Sequence, residues 1–78
     1  MRKINEKIIN AWLDGQRVNY PSINTDGIKL YSYWTPLAWY DEKGQVIVNL
    51  KHYSNTTSRQ QSDLKQILHC RGIEYKEA

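Results

Sequence analysis

The sequence predicts an α+β fold of order α-β-β-β-α: a three-stranded antiparallel sheet with two helices read as packed on one face, the alternative being a split across both faces that would bury the sheet tyrosines. Three observations lead there. Residues 3–14 carry apolar side chains at helical spacing, residues 28–51 alternate in short stretches broken by turn formers, and residues 57–71 return to helical spacing. At 78 residues the chain has room for one domain, 1–78.

In the first helix Ile4, Ile8, Ala11 and Trp12 fall at i, i+4, i+7 and i+8, with Ile9 and Leu13 widening the stripe. Gly15 stands where a left-handed C-terminal residue belongs. Residues 16–27 read as a connection, because Tyr20-Pro21 blocks helix and Asn24-Thr25-Asp26-Gly27 is a turn signal. Residues 28–34 then alternate as a strand. Ile28, Leu30, Ser32 and Trp34 share one face, while Lys29, Tyr31 and Tyr33 share the other. Thr35-Pro36 interrupts, and Pro36 argues for an edge or a bend there. Leu37-Ala38-Trp39-Tyr40 resumes a strand, Asp41-Glu42-Lys43-Gly44 forms a hairpin loop, and Val46, Val48 and Leu50 line one face of the third strand. The second helix begins after Tyr53-Ser54-Asn55-Thr56, where Thr57 with Gln60, or Ser58 with Gln61, has capping-box spacing. Leu64, Ile67 and Leu68 form its apolar stripe, and Gly72 followed by Ile73 fits a Schellman ending. Ile73 and Tyr75 either add a short final strand or pack down onto the core.

Composition excludes several classes. The chain is 40% hydrophobic, too apolar for a disordered segment, and no apolar run approaches the ~20 residues of a membrane span. No secretory signal follows Arg2 and Lys3, since Asn5, Glu6 and Lys7 interrupt the apolar positions; a cytoplasmic chain with Cys70 reduced is expected. The eight carboxylates are scattered over turns and polar helix faces, so no acid–base pair is indicated and an enzyme is not expected. The net charge of +3 is uneven: residues 18–42 hold Lys29 against Asp26, Asp41 and Glu42, whereas residues 43–65 hold Lys43, Lys51, Arg59 and Lys65 against Asp63. This suits an acidic partner but lacks the dense basic clusters of a duplex-DNA binder.

The aromatic residues are six Tyr, three Trp and no Phe, so every ring carries a polar tip suited to half-exposed surfaces. With both helices on one face, Trp12, Trp34 and Trp39 fall on the core side, and Tyr31, Tyr33 and Tyr40 collect on the open face with Ile47 between them. Lys29, Lys43 and Lys51 flank them. Rigid aromatic area with positive charge serves a protein interface or stacks unpaired bases; cross-strand packing of the tyrosines is the competing reading. At Ser54-Asn55-Thr56-Thr57-Ser58-Arg59, hydroxyls and a guanidinium at a helix start could hold an anion, but N-capping alone explains every hydroxyl. His52, His69 and Cys70 are the only soft metal ligands. A zinc closed by His52, one of the other two and Asp63 is the alternative to surface His and a half-buried thiol; the spacing matches no common zinc motif, so no cofactor is expected.

The segments Leu30-Tyr31-Ser32-Tyr33-Trp34-Thr35-Pro36-Leu37-Ala38 and Tyr53-Ser54-Asn55-Thr56-Thr57-Ser58-Arg59-Gln60-Gln61 together resemble a family of small uncharacterised proteins encoded by phages and prophages. The resemblance spans roughly residues 24 to 68; family members often have His where this chain has Gln60. It implies no established activity, but a mobile-element origin and a bacterial cytoplasm. Short phage proteins of this kind include anti-CRISPR inhibitors. The expectation is therefore a monomeric or dimeric inhibitor that covers a functional surface of a host protein such as a Cas effector, with Tyr31, Tyr33, Tyr40, Lys29, Lys51 and Arg59 as the contact residues. A single-stranded nucleic-acid binder using the same side chains, and a phage structural accessory, are the alternatives.

Overall fold

Helix α1 spans Lys3–Leu13 and buries Ile8, Ile9, Ala11 and Trp12, the stripe expected from its spacing. It ends in a Schellman motif: Gly15 N–H donates to Trp12 O at 3.1 Å and Gln16 N–H to Ala11 O at 2.8 Å. The computed structural model describes all 78 residues. After α1 come β1 (Arg17–Asn19), β2 (Asn24–Asp26), β3 (Leu30–Ser32), β4 (Thr35–Tyr40) and β5 (Val46–Val48), then α2 (Asn55–Cys70) and β6 (Tyr75–Glu77).

The fold is α+β with two helices, but the sheet has six strands rather than three, in the order β1-β2-β3-β4-β5-β6. The first five form an antiparallel meander, and β6 joins β5 in parallel, with Val46 opposite Tyr75 and Val48 opposite Glu77. A parallel neighbour needs a long crossover, and α2 supplies it. The added strands β1 and β2 lie within residues 16–27, the expected connection. Asn24-Thr25-Asp26 is a turn sequence by intrinsic preference, yet it is pinned as a strand because Ile23 beside it is fully buried and α1 packs along both strands.

Leu30 and Ser32 point inward as their alternation predicts, as do Val46 and Val48. Ile28 and Trp34 do not: they are 64% and 94% exposed. Asp26 ends the regular strand on one side, its Oδ1 accepting from Ile28 N–H at 2.8 Å and Lys29 N–H at 2.7 Å. On the other side the chain reverses at Tyr33-Trp34, because Ser32 already pairs with Thr35. The bend attributed to Thr35-Pro36 thus sits two residues earlier. A bulge follows, Leu30 opposing Ala38 while Tyr31 opposes Pro36, so Leu37 is the extra residue and is buried beside Ala38.

Both helices feed one core. Ile8, Ile9 and Trp12 from α1 and Leu64, Ile67 and Leu68 from α2 pack on Leu30, Ala38, Val46 and Val48. The opposite sheet face carries no helix. Helix α2 starts three residues earlier than the capping boxes implied. Ser54 is the N-cap, accepting from Thr57 N–H at 3.2 Å, while the Thr57 hydroxyl turns inward to Ser32 Oγ at 3.1 Å. Its far end is the expected Schellman motif, with Gly72 N–H on His69 O and Ile73 N–H on Leu68 O. No helix is long and apolar enough to cross a membrane.

Candidate functional site

The structure disperses the expected contact residues over four places. Tyr31 and Lys29 stand on the open sheet face. Tyr40 does not: it is two residues from buried Ala38 on the same strand, and its ring meets Trp12 at a centroid distance of 5.2 Å, on the helix side. That burial pushes the Tyr40 phenol above its ordinary pKa. Arg59 lies on the exposed side of α2 with Met1, Arg2, Ser62 and Asp63, away from the tyrosines. The bulge at Leu37 explains the exchange of faces. It shifts the alternation along β4, so Tyr40 turns inward and Trp39 outward.

The open face is therefore built around Trp39 rather than Tyr40. Trp39 opposes Ile47 on β5 and borders a shallow hollow of about 220 Å³ with Lys29, Pro36 and Asn49. Asn49 fixes the margin of this hollow: its Nδ2 donates to Pro36 O at 3.0 Å and to the Tyr53 hydroxyl at 2.9 Å. Lys51 reaches over the Tyr53 ring at 5.8 Å. Lys29 thus lines the Trp39 hollow, and Lys51 lies over the neighbouring Tyr53 ring.

A second feature is the β3–β4 turn. Tyr33 takes φ +54°, the only positive value outside the glycines. At the first position of a two-residue hairpin loop this is where glycine is normally used. The turn is held in place by Tyr33 N–H on Ser22 O at 3.2 Å and Asn24 Nδ2 on Tyr33 O at 3.3 Å. It presents Trp34 at 94% exposure and Tyr33 at 53%, beside Tyr20 and Pro21 around an open hollow of about 290 Å³. Alternation placed Trp34 in the core; recognising a two-residue turn between Ser32 and Thr35 would have placed it outside.

The metal candidates do not converge. His52 Nδ1 bonds Ser58 Oγ at 3.2 Å, whereas His69 lies eleven residues further along α2, about 16 Å at 1.5 Å per residue. Asp63 is taken by Asn5 Nδ2 at 2.9 Å, and no three His, Cys, Asp or Glu side chains are grouped to hold an ion. Cys70 is exposed rather than half-buried. At the helix start Ser54 Oγ is the cap, while Thr57 Oγ1 meets Ser32 Oγ and Ser58 Oγ meets His52 Nδ1, so capping does not account for every hydroxyl. The largest hollow, about 450 Å³, is an open groove lined by Gln45, Lys65, His69, Ile73, Glu74, Tyr75 and Lys76; Glu74 is its only carboxylate.

Residues 4–74 match the model of a family described only as a family of unknown function, DUF8033. The chain belongs to that family. No curated protein and no solved structure matches it.

Proposed function

We propose that the chain is a protein-binding module, not an enzyme, that acts by covering a functional surface of its partner, with the Tyr33-Trp34 turn as the anchor. The observation that carries this reading is an indole held 94% exposed by a turn whose first residue is strained. A tryptophan in water gains nothing for the fold, and a β-carbon at positive φ costs of order 1–3 kcal/mol. Both features have a purpose if a partner supplies a pocket for the indole, since Trp and Tyr dominate the energetics of protein interfaces. Tyr20 and Pro21 widen the contact with rigid area.

In its sharper form, which rests on the resemblance of residues 30–38 and 53–61 to phage-encoded proteins, the partner is a bacterial defence complex such as a Cas effector and the effect is inhibition by occlusion. The experiment is co-purification of the tagged chain with representative effector complexes of the main CRISPR types, together with a phage-interference assay. A stable complex and loss of interference, both abolished by Trp34→Ala, are expected. If no effector is retained and interference is intact throughout, the defence-inhibitor form is wrong.

A further inference from the structure

We infer that the open sheet face, at a place separate from the Trp34 turn, binds single-stranded nucleic acid, with the Trp39 hollow as a base-stacking site between Lys29 and Lys51. The inference goes beyond the protein-binding reading and does not depend on it.

The first support is the distribution of charge. Register turns Arg17, with Asp26 opposite it, and Lys76 to the open face, Lys29 lines the Trp39 hollow, and Lys51 lies over the Tyr53 ring near its margin. Lys76 also borders the groove that holds Glu74, so the cations beside the aromatic hollow itself are Lys29 and Lys51. Asp26 stands opposite Arg17 and offsets it, its carboxylate kept ionised by the Lys29 and Ile28 backbone N–H groups.

The second support is what lies between the charges. Tyr31 and Trp39 occupy adjacent strands, both half-buried, so their rings are fixed without being covered. The Trp39 hollow of about 220 Å³ has an apolar wall in Pro36 and an amide in Asn49 at its rim. Aromatic platforms set among cations take any base by its π-face while the lysines meet the phosphates. A duplex hides those π-faces, so unpaired strands are the form that fits. An acidic protein segment would satisfy the lysines but leave the stacking hollow unused.

The test is fluorescence anisotropy of a labelled oligothymidylate about a dozen nucleotides long, titrated with the full chain at low and fourfold higher salt. Roughly three phosphate contacts give a salt slope near −2, hence a roughly 15-fold weaker affinity at the higher salt. The double variant Lys29→Gln, Lys51→Gln should weaken binding and flatten the slope. The control Lys3→Gln, Lys65→Gln removes the same charge from the helices and should bind nearly as the parent. Intrinsic tryptophan fluorescence should be quenched on binding, and quenched less in Trp39→Leu. No saturable binding at low salt, equal loss in the two double variants, or equal affinity for a duplex or for polyglutamate would overturn the inference. Retention of a protein partner through Trp34 bears only on the protein-binding reading, so the two proposals fail independently.

Discussion

Replacing Tyr33 by alanine and, separately, by glycine isolates the backbone strain in the β3–β4 turn. Both variants remove the same ring, which is 53% exposed, so loss of its contacts cancels in the comparison. What differs is the backbone at φ +54°. A β-carbon in the left-handed region costs about 1–2 kcal/mol. Glycine escapes that, but loses an extra 0.5–1 kcal/mol or so of chain entropy on folding. The difference leaves Tyr33→Gly more stable than Tyr33→Ala by about 0.75 kcal/mol. At roughly 2.1 cal/mol/K per residue, this 78-residue chain has an unfolding entropy near 0.16 kcal/mol/K, which converts the difference to about 5 °C. Thermal melts followed by far-UV circular dichroism read it directly. If the alanine variant melts at or above the glycine variant, the turn is not strained, and the argument that strain is kept there to display Trp34 fails with it.

Trp34→Ala should leave stability within about 0.5 kcal/mol of the parent, since the indole is 94% exposed, while weakening a protein partner at least 30-fold, the scale of an interface hot spot; urea denaturation and calorimetric titration measure the two effects. Gly27→Ala should be more destabilising than Gly44→Ala by about 1–3 kcal/mol, because both adopt positive φ but only at Gly27 would the new methyl meet a backbone atom, Gly15 O at 2.8 Å. Equal urea midpoints for the two would exclude that clash. The Asp26 carboxyl is held below its ordinary pKa by hydrogen bonds from Lys29 and Ile28 N–H, so its folded form binds a proton less readily than its unfolded form. Its contribution is present at neutral pH and is lost as pH falls below about 4. The stability advantage of the parent over Asp26→Asn should accordingly shrink between pH ~6 and pH ~2.5, and a constant difference would refute the assignment.

The sequence by itself determined the features that depend on neighbours in the chain. The apolar stripe of α1, the Schellman endings at Gly15 and Gly72, the Asp41–Gly44 hairpin loop and the inward Val46 and Val48 follow from spacing and from residues whose backbone preferences admit few conformations. Tertiary structure alone decided the rest. That both helices share one face was decided by packing, since a single apolar stripe on each suits one face or both, and α1 and α2 meet in one core. Strands β1 and β2 have no apolar alternation; they exist because pairing satisfies their backbone groups and α1 packs along them. A single extra residue at Leu37 reversed the faces of Trp39 and Tyr40, since a side-chain period of two turns any one-residue insertion into an exchange of sides. The buried polar residues were equally hidden from the sequence. Asn5 reaches Asp63 across 58 positions, Gln60 reaches Ser22 O across 38, and Gln61 closes on Asn49 O and Lys51 O. Each reads as a solvent-facing helix residue until its partner has been brought alongside, and only packing brings it there.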